Sequence, residues 1–251
     1  MVYIPRTLKQ KSYTSSDQRN LEADSWTEDR VLKSLVVTET PLVVDIGAYT
    51  GTSASRFRTI FPSCSLVCFE PNPEALQELT RTSVNLGGDI QVIGKAVSDI
   101  DGYAPLHVQG IDPALSGLVR RNSDSKDSID IARAKSSNAE YLEDLNVREL
   151  MVESVTLDTC FGFDSRNIDL MKIDVQGVEA RVLNGGPRTL RRVENLLIEV
   201  SFYDFYESQS SFRSVEELLE PAGLYLWAIT KNSRNPMNGR TDWANAVYRR
   251  Q

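Results

Sequence analysis

Leu42-Val43-Val44 leads straight into Asp45, and the loop that follows, Gly47-Ala48-Tyr49-Thr50-Gly51, carries a glycine at each end. A strand that is apolar at every position suits the interior of a parallel sheet with both faces covered. Parallel neighbours need crossover connections, and the flanking sequence supplies them. TSASRFRTIFP has helical character and is closed by Pro62, and SLVCFEPN reads as a second strand. NPEALQELTRTSVNLGG is a helix with Pro73 near its start and Gly87-Gly88 beyond its end, and IQVIGKAVS is a third strand. This βαβαβ series is half of a doubly wound α/β fold, in which ligands sit at the carboxyl ends of the strands. The glycine loop lies at that end of the first strand, so a small-molecule site is expected there.

Upstream, SWTEDRVLKSLVV spaces its apolar residues as a helix, with Asp24 or Ser25 as its cap and Pro41 marking the boundary before the strand. Downstream, DGYAPLHVQG reads as a short strand and VESVTLD as a strand entering a helical piece at DTCFGF. IDLMKIDVQG and ENLLIEVSF are further strands with the helix VEARVLNGG between them, and SSFRSVEELLEPAG is a helix before a final pair of strands, GLYLWAIT and WANAVYRR. Residues 110–145 break the rhythm: they are polar, rich in serine and longer than a typical connection, which leaves a lid over the site or a surface insertion as alternatives. With no repeat and no long linker, residues 24–251 are expected to form one domain behind a polar lead-in, 1–23.

A chain of 251 residues can bury roughly three quarters of its extended surface. Hydrophobic residues make up 41% and charged residues 25%, and no apolar run approaches the roughly 20 residues that span a bilayer. The N-terminal stretch lacks the apolar core of a secretory signal, so a cytoplasmic location is expected. Cys64, Cys68 and Cys160 are odd in number and show no CxxC spacing, and they read as buried free thiols. A net charge of −7, with basic residues clustered only in pairs, disfavours a nucleic-acid partner. The single histidine, His107, excludes a multi-histidine metal site and leaves a general base or a solvent-facing strand residue as its roles.

Nicotinamide dinucleotides and S-adenosylmethionine both use the crevice above such strands. The dinucleotide fingerprint GxGxxG brings backbone against a pyrophosphate, and Ala48-Tyr49 after Gly47 departs from it. A ligand with a ribose but no phosphate still needs an acid at the end of the second strand. Glu70 lies 19 residues after Gly51, near the separation of about 20 expected for a group that binds ribose hydroxyls. Asp45 and Glu70 taken singly fit a helix cap or a solvent-facing acid equally well; together with the glycine loop they favour a ligand site.

VVDIGAYTG, CFEPNPEAL, VIGKAVSD, VTLD, IDLMKIDVQGVEARVLNG and LLIEV, in this order between Pro41 and Val200, resemble the FkbM family of S-adenosylmethionine-dependent methyltransferases. KIDVQGVEARVLNG is the most specific of these segments. The resemblance implies a Rossmann-like class I methyltransferase fold: a mostly parallel seven-stranded sheet with an antiparallel edge hairpin and an inserted polar segment. It places Asp45, Gly47, Ala48, Tyr49 and Gly51 around the methionine part of the donor, Glu70, Pro71 and Asn72 at the ribose, and Ala96 and Val97, after Lys95, at the adenine, with Asp174 also on the donor side. Tyr49 stands where a small or polar residue such as asparagine is expected, and Gln176 where family members often carry glutamate.

The implied activity is O-methylation of a hydroxyl on a small natural product or sugar, with S-adenosylmethionine as cofactor, no metal assigned although Asp174 with Glu199 would suit a hard cation such as magnesium, no membrane partner and a homo-oligomer allowed. A non-catalytic donor-binding module and an NAD-dependent oxidoreductase are the alternatives. Asp174 and Glu199 end adjacent strands if the strand order follows the family, and they are candidate catalytic carboxylates beside Lys172 and His107. Asp174 is otherwise a helix cap and Lys172 an ion-pair partner inside the sheet. Glu179, in the first turn of the next helix, is expected to be held ionised by the helix's positive end. Phe202, Tyr203, Phe205 and Tyr206 are either an acceptor pocket or core.

Overall fold

The computed structural model describes residues 26–109, 113–122, 125, 147–235 and 238–251. The lead-in 1–23 and most of 110–145 fall outside them. Helix α1 (Glu28–Leu35) precedes strand β1 (Leu42–Ile46), α2 (Thr52–Ile60), β2 (Ser65–Phe69), α3 (Pro73–Leu86) and β3 (Ile90–Ile93). After these come β4 (Ala96–Val97), β5 (Gly102–Val108), β6 (Arg148–Val155), α4 (Leu157–Phe161) and β7 (Leu170–Ile173). The chain closes with α5 (Glu179–Asn184), α6 (Pro187–Leu190), β8 (Asn195–Ser201), α7 (Phe212–Leu219), β9 (Leu224–Arg234) and β10 (Thr241–Arg250).

The main sheet has the order β3-β2-β1-β7-β8-β10-β9. Its first five strands are parallel, and β10 runs antiparallel to both β8 and β9. This is the expected seven-stranded class I methyltransferase sheet with its antiparallel edge hairpin. Strand order reverses between β1 and β7, which opens a crevice at their carboxyl ends.

Strand β1 is apolar at every position but Asp45 because it serves two cores. Val44 and Ile46 pack with Ile173, Ile198, Val182, Leu190, Val215 and Leu219 on the face covered by α5, α6 and α7. Val43 packs with Leu66, Cys68, Leu170, Leu197 and Val247 on the opposite face, which is covered by Val31 and Leu32 of α1, Phe57 of α2 and Leu79 of α3. Val43 and Val44 are both fully buried, and at about 25 cal/mol per Å² of apolar area such burial is the main stabilising contribution of this strand.

Several local readings change. The cap of α1 is Thr27, whose side chain accepts from Arg30 N, and neither Asp24 nor Ser25 is described. IQVIGKAVS is two strands: β3 belongs to the main sheet, while β4 joins β6 and β5 in a separate three-stranded sheet. The four-residue α6 was not foreseen. Cys64 and Cys68 are buried free thiols as expected, but Cys160 is exposed because α4 turns it outward. His107, on β5, is neither solvent-facing nor at the crevice. It is 5% exposed, and its Nδ1 lies 3.6 Å from Glu149.

Candidate active site

The crevice holds a cavity of about 430 Å³, within the roughly 300–1,000 Å³ range of small-molecule sites. Its floor is the loop after β1. Gly47 N and Ala48 N donate to the Phe69 carbonyl at 3.1 and 3.0 Å, which fastens this loop to the end of β2. Gly47 has φ +79, and a Cβ there would lie 1.9 Å from the Asp174 carbonyl oxygen. The neighbouring strand end therefore requires glycine here, and Gly47 also lines the cavity. Gly51, also at positive φ, packs its α-carbon against Thr82 and Leu79 of α3 and does not line the cavity. Tyr49 adopts φ +49, a left-handed conformation in which asparagine is more common, which accounts for the small or polar residue expected there.

On the β2 side, Glu70 lines the cavity at 6% exposure. Its Oε2 accepts from Tyr49 N and its Oε1 from Asn72 N, each at 2.8 Å. Burial pushes its pKa up to about 7, against the pull of these two N–H groups. Ala48, Tyr49, Pro71, Ala96 and Val97 also line the cavity. Asn72 lies behind the wall as the cap of α3, accepting from Glu74 N, and its Nδ2 is buried with no hydrogen-bond partner among the described residues.

On the other side, Asp174 follows β7 and Glu199 lies on β8, and the parallel register Ile173↔Ile198 makes them neighbours. Both line the cavity, as does Lys172. Asp45 does not: it is fully buried beneath the loop, accepts from the Ser53 hydroxyl, and lies 3.2 Å from Lys172 Nζ. Lys172 Nζ also reaches Asp174 Oδ2 at 3.4 Å and donates to the Gly47 carbonyl at 3.2 Å. Burial alone would favour loss of its proton, but the charges of Asp45 and Asp174 outweigh that and keep the ammonium charged. Glu199 is pushed well above the usual carboxylate range by burial, with Asp174 and Glu179 adding repulsion.

Glu179 overturns its expectation. Helix α5 begins at Glu179 itself, and the carboxylate folds back to accept from Gly177 N at 3.1 Å and Val175 N at 3.4 Å. Burial drives it up to about 7, so desolvation prevails over the helix end. Asp174 caps no helix. None of Phe202, Tyr203, Phe205 and Tyr206 lines the cavity. Tyr206 is core, packed with Leu106, Val108 and Val178, whereas Phe202 is 42% exposed.

Sequence reasoning missed the wall beyond Glu199. Trp243, Asn245 and Lys231 line it, together with Arg56 of α2. Glu28 of α1 organises them: its Oε2 accepts from Asn245 Nδ2 at 2.9 Å and from the Thr230 hydroxyl, and its Oε1 lies 2.6 Å from Arg56. Burial opposes its charge, yet the hydrogen bonds from Thr230 and Asn245, with Arg56, hold its pKa below the usual range. A signal existed in the alternation Trp243, Asn245, Val247, which puts a polar side chain on an otherwise buried face. Pro113 to Leu118, a described part of the 110–145 stretch, closes the cavity above.

Among the described residues no group of three or more His, Cys, Asp or Glu is arranged to hold a metal, and no helix is long and apolar enough to cross a membrane. Residues 45–224 match the family model described as the methyltransferase FkbM domain. The 2-O-methyltransferase NoeI of Sinorhizobium fredii (strain NBRC 101917 / NGR234) is 31% identical over 198 residues, covering 76% of this chain and 75% of that protein. Among solved structures, a precorrin-6y C5,15-methyltransferase from Geobacter metallireducens GS-15 aligns with TM-score 0.44 at 10% identity, over 88% of this chain and 86% of that one. Aeropyrum pernix fibrillarin in complex with S-adenosyl-L-methionine aligns with TM-score 0.44 at 12% identity, over 87% and 72%.

Proposed function

From the premise that this chain belongs to the FkbM methyltransferase family and is an S-adenosylmethionine-dependent methyltransferase, we propose that it methylates a hydroxyl of a small natural product or a sugar, with Asp174 as general base. The observation that carries this reading is one cavity with Glu70 on its β2 side and the Asp174–Glu199 pair on its β7–β8 side. The 2-O-methyltransferase relative supports an oxygen acceptor.

The residues present fit the donor. Glu70 is a buried carboxylate with lone pairs to spare after its two backbone bonds, and it suits a ribose diol. Ala96 and Val97 give an apolar edge for a base, and Ala48 and Tyr49 a backbone floor. When bound, S-adenosylmethionine supplies an electrophilic methyl group on a sulfonium.

The chain has to orient the acceptor oxygen, remove its proton and exclude water. Orientation can supply up to roughly 7–11 kcal/mol and a general base roughly 10²- to 10⁴-fold, so positioning dominates. Asp174 takes the proton and becomes neutral, and Lys172, at 3.4 Å, balances its carboxylate charge before the transfer. Glu199, raised well above the usual carboxylate range by burial, is in its protonated form a hydrogen-bond donor for a second acceptor oxygen. Trp243 offers a face for a ring, and Asn245 a polar edge. Lys172 acts as a fixed counter-charge rather than a base, and His107 has no part.

The test is transfer of labelled methyl from S-adenosylmethionine to a panel of methyl glycosides and hydroxylated macrolides. Wild-type protein should label at least one hydroxyl. Asp174→Asn should turn over about 100-fold more slowly with donor Kd changed by less than about threefold. Donor binding with no labelling anywhere in the panel would refute the acceptor class, and full activity in Asp174→Asn would refute the base.

A further inference from the structure

Asp174 is reached by a chain of two hydrogen bonds from a residue that never touches the cavity. The Tyr206 hydroxyl donates to Gln176 Oε1 at 2.6 Å, and Gln176 Nε2 donates to Asp174 Oδ1 at 2.7 Å. We propose that Tyr206 is a positioning residue that fixes the orientation of the Asp174 carboxylate through the side chain of Gln176. The proposal rests on the reading of Asp174 as general base.

The polarity of the chain leaves one arrangement. A carboxamide has one accepting and one donating end, so a phenol that donates to the oxygen turns the NH₂ toward Asp174. Tyr206 remains a donor because burial pushes its hydroxyl well above its usual range. Its alternative acceptor, the Leu115 carbonyl, is farther away at 3.4 Å.

Both ends are anchored. Tyr206 is 4% exposed, and its backbone N donates to Gln209 Oε1 at 2.9 Å. Its ring lies against Gly177, where a Cβ would meet three ring and side-chain atoms at 2.9–3.1 Å. Gln176 is in the left-handed region, φ +58, which aims its side chain between the β7 end and the loop after β8. That loop is latched by Ser210, whose N donates to the Gly177 carbonyl at 2.8 Å and whose hydroxyl accepts from Ala180 N at 2.8 Å.

Asp174 is thereby held from two sides. Oδ1 is taken by the amide and Oδ2 faces Lys172, so the carboxylate cannot rotate without breaking a bond. The other charged or titratable groups around it are Glu199 from β8, Glu179 from α5 and Asp45 beyond Lys172. All three are acids, and whichever of them is ionised repels an untethered carboxylate.

Two measurements test this on the full chain, one of them independent of any acceptor. In ¹H–¹⁵N spectra the Gln176 side-chain NH₂ pair, identified by its disappearance in Gln176→Glu, should exchange slowly with water in the wild type. It should exchange at least tenfold faster in both Tyr206→Phe and Asp174→Asn. With the methyl glycoside or macrolide that the wild type labels fastest, Tyr206→Phe should lower kcat about 3- to 10-fold at unchanged donor Kd. In the Asp174→Asn background the same change should have no further effect. An unaltered Gln176 amide in Tyr206→Phe, or rate losses that simply multiply in the double variant, would overturn the positioning role. Full turnover by Asp174→Asn would instead overturn the base, while the amide signal still reports the hydrogen-bond chain.

Discussion

Glu70 holds two backbone N–H groups before it meets any ligand, and its pKa near 7 makes donor binding a proton-linked event. Ribose hydroxyls donate to the carboxylate form, so binding lowers this pKa and releases a proton when the free enzyme starts protonated. Donor affinity should therefore rise between pH 6 and 8, with proton release seen by calorimetry in buffers of different ionisation enthalpy; a flat profile would contradict the assignment. Glu70→Ala should raise donor Kd by roughly 10- to 100-fold, the loss of about one charge-assisted bond of 1.5–3 kcal/mol. Glu70 was legible because strand, glycine loop and helix have nearly fixed lengths, so an acid about 20 residues on falls at the next strand end. Asp45 was legible as important but not in its role. Its partner Lys172 is 127 positions away, and only the β1–β7 register Asp45↔Lys172 brings them together.

The loop after β1 shows how an element's geometry sets its residue choices. Gly47→Ala combines φ +79 with a Cβ 1.9 Å from backbone that cannot move without shifting β7. It should lower the unfolding free energy by more than about 2 kcal/mol in urea titration and abolish donor binding. Gly87→Ala, at φ +62 and ψ −174 with open space around it, should lose only the backbone term, on the order of 1–3 kcal/mol, and leave binding intact. Equal effects would show that crowding at Gly47 is not the constraint. Helices and strands with strong periodicity and Gly or Pro punctuation were readable one by one. The split of IQVIGKAVS was not, because β4 is defined by its bridge to β6, more than 50 residues away. Helix α6 escaped because four residues carry too little periodicity to stand out.

Across the whole molecule, the buried acids set a pH window of stability. Glu70 and Glu179 titrate near 7 when folded and near 4.5 when unfolded, so the folded chain binds more protons between those values. Their contribution is present below about 4.5 and is lost as pH rises toward 7, on the order of 1–3 kcal/mol for each group. Glu28 and Asp158 are lowered and act in the opposite sense, losing their contribution as pH falls below about 4. Thermal unfolding of the ligand-free protein should therefore show a lower Tm at pH 7.5 than at pH 5, and Glu179→Gln should shrink that difference; a rising Tm would contradict it. The amino-acid sequence alone determined the layers, the parallel sheet, the edge hairpin, the glycine loop and the acid that ends the second strand, since each follows from local periodicity, loop chemistry or short spacing. Tertiary structure decided which acids are charge-paired and which are raised by burial, that Tyr206 reaches Asp174 through Gln176, and that the β9–β10 hairpin, largely outside the family-matched segment, walls the far side of the cavity with Glu28 of α1 bonded behind it. These depend on strand order and on burial, and charge in a protein is governed by which distant groups share a desolvated space.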